Sequence, residues 1–245
     1  MASGALVAAA RSCRLTIASY NVHRCIGMDR RHDPARTAAV IRELGADVVG
    51  LQEVASRFRG VGAVDQLAYL GKATGLLPVA CPILRQEPGH CGNGLLTRLP
   101  ILAVRQIDLS LPRTEPRGAL DVTLDLDGWA VRAVVTHLGL RRADRRIQID
   151  RLLDALRTDR APFTIFLGDI NEWWPGARCL RRLHAALGRP PAVATFPASH
   201  PLLALDRIWA EPAARLFTVR REASPLARVA SDHLPVRAEI AWDPS

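Results

Sequence analysis

Short polar motifs follow several apolar runs along this chain, each run having the composition of a β-strand. The motifs contribute carboxylates, carboxamides and imidazoles in this order: Asn21 and His23, Gln52 and Glu53, Asn93, His137, Asp169 and Asn171, Asp206, and Asp232 and His233. Strand ends that face one edge of a sheet bring distant residues into one cleft. We therefore expect these groups to form one site, although they are spread over most of the chain.

The chemistry of this set predicts a divalent cation and phosphoryl transfer. Oxygen ligands without cysteine suit Mg²⁺, with Mn²⁺ as a possible substitute, better than zinc. Carboxylates on such a cation beside two histidines, His137 and His233, provide charge neutralisation, an activated water and a proton for a leaving oxygen.

Each motif taken alone has a simpler structural explanation. Asp232 followed by His233 would more often cap a loop than act in catalysis. Asn93 between two glycines would ordinarily be a turn residue that tolerates positive φ. Only the repetition of such motifs at successive strand ends favours a catalytic site.

Hydrophobic periodicity predicts a mixed α and β fold. Strands are predicted at 14–20, 47–51, 94–97, 101–109, 119–126, 130–136, 163–167, 205–210 and 236–242, and helices at 34–44, 64–73, 149–156 and 177–187. Asp33 and Pro34 have the residue types of an N-cap and a first helical position, and Gly45 and Gly75 those that end helices. This pattern favours a mixed-sheet sandwich covered by helices over a regular parallel doubly wound fold.

Length and composition indicate a single α/β domain. The chain has 245 residues, of which 49% are hydrophobic and 23% charged. No repeat or linker divides it, so we expect one domain over 1–245 with a loose extension at 1–13. No run approaches the ~18–20 apolar residues of a transmembrane segment, and the apolar stretch 2–10 is too short for a secretory signal. The scattered cysteines form no Cys-x-x-Cys pair and suggest a reducing cytoplasm: Cys13, Cys25, Cys81, Cys91 and Cys179.

The net charge of +9 has two explanations. It would suit a polyanionic partner such as nucleic acid. However, Lys72 is the one lysine among 33 basic residues, and so high an arginine content is also what a GC-rich genome produces. Charge alone therefore leaves a phosphate-binding surface and solvated helix faces as equal alternatives.

The order of the motifs resembles the endonuclease/exonuclease/phosphatase superfamily, whose members share the DNase I-like fold. The most specific pieces are Leu51-Gln52-Glu53, Gly168-Asp169-Ile170-Asn171, Leu205-Asp206-Arg207-Ile208-Trp209 and Ser231-Asp232-His233-Leu234-Pro235. The resemblance covers nearly the whole chain. It implies an α+β fold arranged as a four-layer α/β/β/α sandwich, with the active site where the two sheets open at one edge.

The resemblance also implies which residues bind the metal. Glu53 matches the principal metal-binding glutamate, and Asn21 lies beside it in the metal shell. Asp232 matches a further carboxylate near the metal. We therefore expect Mg²⁺ at these three residues.

Other positions match the catalytic groups of the family. Asp169 and Asn171 match the pair that positions water and contacts the scissile phosphate. His233 matches the histidine that activates water or stabilises the phosphorane, and Asp206 the acid that orients it. Family members differ over whether the aspartate or the histidine is the general base, so Asp169 and His233 both remain candidates.

His137 indicates the branch of the family. DNase I, sphingomyelinases and phosphatases have a histidine at this strand end, whereas AP endonucleases have a tyrosine. Arg145 and Gln148, spaced as Arg-x-x-Gln, also resemble the branches with Thr-His-Leu. The sequence departs from DNase I in one respect: Leu96, Thr97 and Arg98 occur near the position of the acidic residue that orients this histidine, so the resemblance does not imply a strong general acid at His137.

Two further sets of residues are predicted to contact substrate. Arg117 roughly matches a phosphate-contacting arginine, and with Asn93 it is expected to bind the phosphate, although it would equally suit an exposed turn. Trp173 and Trp174 could stack on a base, meet a lipid headgroup or brace the loop.

The resemblance leaves the substrate open. A Mg²⁺-dependent nuclease acting on DNA or RNA is the first hypothesis, supported by charge and His137. A phospholipid or small-molecule phosphodiesterase or phosphatase is the second, and a binding module without activity the third. No protein partner is implied.

Overall fold

A computed structural model describes residues 13–57, 65–86, 89–157, 161–212 and 216–242. The strands in these ranges are β1 (Cys13–Asn21), β2 (Val48–Arg57), β3 (Leu77–Gln86), β4 (Gly89–Thr97), β5 (Ile101–Asp108), β6 (Gly118–Leu126), β7 (Trp129–His137), β8 (Phe163–Asp169), β9 (Asp206–Glu211), β10 (Leu216–Arg221) and β11 (Val236–Trp242). The helices are α1 (Pro34–Leu44), α2 (Gln66–Thr74), α3 (Arg142–Arg157), α4 (Arg178–Leu187) and the single turn α5 (Ala227–Ala230). A 3-10 turn covers His23–Cys25.

The strands form two sheets of mixed direction. One has six strands in the order β10-β11-β1-β2-β4-β3, and the other has five in the order β5-β6-β7-β8-β9. The pairs β1–β2 and β7–β8 are parallel, and the other neighbouring strands are antiparallel. Each sheet therefore has one place where the carboxyl ends of two adjacent strands lie side by side.

Apolar residues along the strands alternate between two cores. On β8, Leu167 packs between the two sheets, whereas its neighbour Phe166 packs outward against α3 and α4. On β2, Val48 packs between the sheets and Val49 outward against α1 and α2. This period of two is what a strand covered on both faces requires. The predicted four-layer α/β/β/α arrangement and the α+β class are confirmed.

Capping contacts confirm the predicted ends of α1 and show where α2 begins. Asp33 accepts a hydrogen bond from the Arg36 amide at 2.9 Å, and Gly45 ends α1 with φ of 55°. Asp65 caps α2 by accepting from the Ala68 amide at 3.1 Å. These side chains satisfy amides that have no partner within the first helical turn.

Two strands, β3 and β10, were not predicted from the sequence. Pro78 and Pro82 interrupt the strand pattern of β3, because proline cannot donate to a strand ladder. They are tolerated since β3 is the edge strand of its sheet. Cys13, placed in the expected extension, pairs with Trp242 across β1 and β11, while 1–12 and the predicted helix start at 64 lie outside the described residues. Among the described helices, none has the length and apolar character needed to cross a membrane.

Candidate active site

The ends of the two parallel strand pairs meet at one cleft. Asn21 ends β1, and His137 and Asp169 end β7 and β8 in register with each other. Asp206 begins β9 directly opposite Asp169. The cleft has a volume of about 380 Å³, and its lining includes Arg24, Glu53, Asn93, Arg117, His137, Asp169, Asn171, Phe196 and His233.

Glu53 reaches this cleft through a β-bulge. The pairing of β2 with β4 shifts between Leu51 and Val54, so that Gln52 and Glu53 together oppose Asn93. Glu53 has φ of 57°, a left-handed conformation that is uncommon outside glycine. A bulge that re-aims one side chain is a frequent device beside active sites.

Asn21 connects the two sheets. Its Nδ2 donates to Glu53 Oε1 at 3.2 Å and to Asp169 Oδ2 at 3.1 Å. Its Oδ1 accepts from the His23 amide at 3.1 Å, which fixes the orientation of the amide group. The orientation favours a positioning role for Asn21, which holds two carboxylates, over direct coordination of a cation by its oxygen.

Gly168 allows the close approach that places Asp169. Its φ is 148°, and a Cβ at this position would clash with the carbonyl oxygen of Thr136 on β7. Asp169 is buried, and its Oδ1 accepts from the Asn171 amide at 2.9 Å. Glycine is therefore required before this aspartate by backbone geometry.

His233 lies between two carboxylates. Its Nδ1 is 2.8 Å from Asp206 Oδ2, and its Nε2 is 3.8 Å from Asp169 Oδ2. Burial disfavours the charged ring, but Asp206, followed by Asp169 and Asp232, outweighs this and raises the pKa of His233 to about 10. Thr195 Oγ1 donates to the same Asp206 oxygen at 2.6 Å. The ring is therefore held as an imidazolium.

His137 is held in the opposite state. Its Nε2 is 3.0 Å from Asn171 Nδ2, whose orientation is set by a second bond to the Leu138 carbonyl at 2.9 Å. Because that amide nitrogen donates, Nε2 accepts, which requires a neutral ring. Burial lowers the pKa of His137 to about 4, with Asp169 opposing this and Arg117 and His233 adding to it. In this state the ring positions Asn171 and carries no proton on Nε2.

Arg145 and Gln148 explain the Arg-x-x-Gln spacing on α3. Arg145 donates to the Leu140 carbonyl at 2.6 Å and pairs with Glu172 at 2.7 Å. Gln148 accepts from the Gly139 amide at 2.9 Å. Arg145 therefore connects the loop after His137 to the loop after Asn171, and Gln148 holds the first of these loops against α3.

Three predicted site residues occupy different settings from the central groups. Asp232 does not line the cleft; its side chain is 32% exposed, and its Oδ1 is 3.7 Å from His23 Nδ1. Asn93 Nδ2 donates to the Gly118 carbonyl at 2.9 Å, while its Oδ1 is buried without a partner. Arg117 lines the cleft, but its guanidinium pairs with Glu115 at 2.7 Å. Glu115 would compete with a substrate phosphate for this guanidinium, and the sequence alone did not identify this pair.

The residues present fit a hard divalent cation on the Glu53 side of the cleft. The one hydrogen bond that described residues make to this carboxylate reaches Oε1, which leaves Oε2 available. Asp169, Asp206 and His233 also lie within 4.8 Å of one another. However, Asp206 Oδ2 and His233 Nδ1 already form a hydrogen bond with each other. These three residues are therefore better explained as a hydrogen-bonded chain than as the ligands of a cation.

Several contributors to the site were not found from the sequence. Thr195 bonds Asp206, Phe196 packs its ring 4.9 Å from that of His233, and Ser231 Oγ donates to the Asn21 carbonyl at 2.7 Å. Arg24 lines the cleft from the 3-10 turn with φ of 55°. Thr195 and Phe196 lie in a segment without periodicity, so no local pattern marks them. Ser231 belongs to the motif Ser231-Asp232-His233, but the motif alone does not indicate that its hydroxyl bonds the Asn21 carbonyl.

Comparisons with known proteins agree with this arrangement. A model of the Endonuclease/Exonuclease/phosphatase family matches residues 18–233. A relative named uncharacterized protein YbhP from Escherichia coli is 36% identical over 166 residues, which cover 62% of this chain and 63% of the relative. The chain thus matches less than two thirds of the length of that relative.

Solved structures share the fold at lower identity. An endonuclease/exonuclease/phosphatase from Beutenbergia cavernae superposes with a TM-score of 0.75 at 23% identity, over 94% of this chain and 72% of the other. A humanized D. rerio TDP2 superposes with a TM-score of 0.67 at 21% identity, over 92% of this chain and 98% of the other. The match over 18–233, which includes every residue of the cleft described above, shows that this chain belongs to the endonuclease/exonuclease/phosphatase family, whose members hydrolyse phosphoesters and usually use a divalent metal.

Proposed function

We propose that this protein is a Mg²⁺-dependent phosphodiesterase whose preferred substrate is nucleic acid, DNA or RNA. The observation that carries the proposal is the buried contact between Asp206 and His233, which places the ring beside Asp169 in the cleft that Glu53 also lines. A phosphodiester in this cleft would meet a hydrogen-bond donor, a fixed carboxylate and a cation site at once.

Asp169 is the better candidate for the general base. His233 is held protonated by two carboxylates, and a protonated ring can donate but cannot take a proton. Asp169 is held by the Asn171 amide and Asn21 Nδ2. We assign it the proton of the attacking water as the new phosphorus–oxygen bond forms. His233 Nε2 donates a hydrogen bond to an oxygen of the phosphorane, and the leaving oxygen takes a proton from solvent as its bond to phosphorus breaks.

A cation at Glu53, with Asp232 as a further candidate ligand, would neutralise charge on the phosphate when bound. Arg117, which also lines the cleft, would assist if substrate displaces Glu115 from its guanidinium. A guanidinium suits the two free oxygens of a phosphodiester.

The test is hydrolysis of bis-p-nitrophenyl phosphate, plasmid DNA, RNA and phospholipid vesicles with Mg²⁺. Asp169→Asn should reduce kcat by at least about 100-fold, since it removes the proposed base. Asp154→Asn changes an exposed carboxylate on α3, at 70% side-chain exposure, and should keep wild-type activity. Unchanged activity of Asp169→Asn, or no hydrolysis of any substrate, contradicts the proposal.

The choice of nucleic acid rests on surface charge and aromatic residues. Arg24 and Arg117 line the cleft, and Trp173 and Trp174 are 50% and 52% exposed just beyond Asn171. Exposed aromatic rings stack on bases, and phosphate neutralisation makes binding fall steeply with salt. DNA or RNA affinity that hardly changes between 50 and 200 mM salt, about the range in which such contacts weaken, would contradict this choice.

A small-molecule or phospholipid phosphodiesterase is the second candidate. It is favoured by the limited cleft volume, about 380 Å³, and by the engagement of Arg117 with Glu115. Faster hydrolysis of small diesters or vesicles than of DNA and RNA in the same screen would select it.

We also propose a cytoplasmic location. Cys25, Cys81 and Cys179 are free and buried in the described part of the chain, which suits a reducing compartment.

A further inference from the structure

A buried arginine on the outer face of the five-stranded sheet has a side-chain Nε without a hydrogen-bond partner. Arg207 follows Asp206 on β9, so its side chain points to the opposite face from the catalytic cleft. Only 4% of it is exposed, and its Nε is buried without a hydrogen bond. Among the described residues no ion pair reaches its guanidinium. Arginine is almost never buried in this way unless something pairs with it.

The carboxylate that acts electrostatically on Arg207 makes no ion pair with it. Glu172 is close enough to favour the charge of Arg207 but is engaged elsewhere. Its Oε2 accepts from Arg145 at 2.7 Å, and its Oε1 accepts from the Trp174 amide at 3.0 Å. Burial lowers the pKa of Arg207, with Cys179 and Glu172 opposing and Arg189 adding to the effect. The protein therefore compensates this cation only in part.

A second cavity opens at this guanidinium. Its volume is about 420 Å³, and Arg207, Arg189 and His184 bring nitrogen groups to it. None of its lining residues belongs to the catalytic cleft. Leu180 and Pro190 contribute apolar wall. The cavity is thus separate from the site described above and cationic on one side.

His184 adds a second polar group without a partner. Its Nε2 is buried and makes no hydrogen bond, and its ring packs 6.1 Å from that of Trp209. Burial, then Arg207 and Arg189, lowers the pKa of His184, so the ring is neutral at pH 7. A neutral imidazole can donate to an oxygen or accept from a hydroxyl. Two independent side chains at this cavity therefore lack partners.

We propose that this cavity binds a phosphate group, either inorganic phosphate or the phosphomonoester of a small molecule, through Arg207 and Arg189. The Nε and one Nη of a guanidinium lie on one edge and match two oxygens of a phosphate. Two arginines favour a dianion over a singly charged carboxylate. The apolar wall suits the organic part of a phosphomonoester.

The test is the melting temperature of the full chain in EDTA as phosphate replaces chloride at constant ionic strength. A ligand of the folded state alone raises the melting temperature with its concentration. Inorganic phosphate should raise the melting temperature, and acetate should raise it far less. EDTA prevents phosphate from binding through a metal in the catalytic cleft. Comparison with glycerol 3-phosphate distinguishes a free phosphate from a phosphomonoester as the tighter ligand.

Arg207→Met is the decisive variant. It should weaken the apparent phosphate affinity at least tenfold and should not lower the melting temperature in phosphate-free buffer, because it removes an unpaired buried charge. Arg178→Met removes the same charge from an exposed position on α4 and should respond like the wild type. Arg117→Met, in the catalytic cleft, should also keep the response.

A second variant keeps the proposal testable if Arg207→Met does not fold. Arg189 is exposed at the edge of the cavity, so Arg189→Met should fold and should weaken the phosphate response several-fold. The proposal is overturned if Arg207→Met and Arg189→Met both keep the wild-type response. It is also overturned if acetate acts as strongly as phosphate, or if Arg117→Met alone removes the effect.

Discussion

His233 and Asp206 are joined by a 2.8 Å contact between the ring Nδ1 and the carboxylate Oδ2, and both side chains are buried. A carboxylate can only accept, so Nδ1 carries the proton and Nε2 is directed towards the cleft. That Nε2 lies 3.8 Å from Asp169 Oδ2. One ring thus connects the start of β9 to the end of β8, which ties its orientation to the pairing of these strands.

The first prediction is that His233 and Asp206 act as one unit. His233→Ala should reduce kcat by about 10²–10⁴, the usual size of acid–base help. Asp206→Asn should also reduce it, because the ring loses its orienting acceptor. Groups that act together are not additive, so the double variant should be little worse than His233→Ala. The measurement is kcat and Mg²⁺ dependence for all three variants.

Mg²⁺ affinity is the control in this experiment. It should change little in each variant, since it rests on Glu53. If the two losses in kcat multiply fully, or if His233→Ala keeps wild-type kcat, the two residues do not form a catalytic unit.

The second prediction concerns the metal. EDTA should abolish hydrolysis, and Mg²⁺ or Mn²⁺ should restore it, because the free donor atoms at Glu53 are hard oxygens. Glu53→Gln should raise the Mg²⁺ concentration needed for half-maximal activity by more than about tenfold. Glu211→Gln, an exposed change at the end of β9, should leave it unchanged. Full activity of metal-stripped protein would falsify the assignment.

The third prediction is that Arg145 and Glu172 stabilise both loops at the cleft. They form a buried pair at 2.7 Å, and removal of one partner leaves an uncompensated buried charge that costs about 3–5 kcal/mol. Arg145→Met should lower the free energy of unfolding by about this amount and should lower kcat, since it loosens the loops that carry His137 and Asn171. Urea unfolding and steady-state kinetics measure both effects.

Arg142→Met is the matched control for that variant. Arg142 is 68% exposed, and its Nε lies 3.8 Å from Glu172 Oε2, which is beyond hydrogen-bond distance. The free energy of unfolding should therefore change by no more than about 0.5 kcal/mol. A double-mutant cycle of Arg145→Met with Glu172→Gln should show coupling above about 0.5 kcal/mol, as expected for residues in contact. Additive losses would mean that the pair does not stabilise the loops jointly.

The fourth prediction is a pH effect from His137. Burial lowers its pKa from 6.5 to about 4, so between these values the unfolded chain takes up a proton that the folded protein does not. Its contribution to stability is complete above pH 6.5 and is lost as pH falls towards 4. At about 1.4 kcal/mol per pKa unit the loss reaches about 3 kcal/mol. His233, whose pKa is raised, affects stability only above pH 6.5.

Urea unfolding at several pH values between 7 and 4 measures this effect. His137→Gln should have a shallower loss of stability over that interval than the wild type. His200→Gln, at an exposed position, should keep the wild-type slope. Equal slopes for the wild type and His137→Gln would show that this ring is not kept neutral by the fold.

Local patterns in the sequence were sufficient for most of the helices and strands and for the residue types of the site. The cap at Asp33, the apolar runs of β6, β7 and β8 and the polar ends of the strands all depend on residues within a few positions of one another. The edge strand β3 was missed for the same reason, since Pro78 and Pro82 are acceptable only at a sheet edge, which is a property of the whole sheet.

The sequence by itself determined most of the polar groups that gather at the cleft, and only the tertiary structure decided what each of them contacts and which unmarked residues join them. Asn21 bonds Asp169 across 148 positions, and Ser231 bonds the Asn21 carbonyl across 210. Such contacts depend on strand order, on register and on the bulge at Glu53, none of which periodicity encodes. The protonation states of His137 and His233 differ for the same reason, because burial and neighbouring carboxylates are set by packing between residues far apart in the chain.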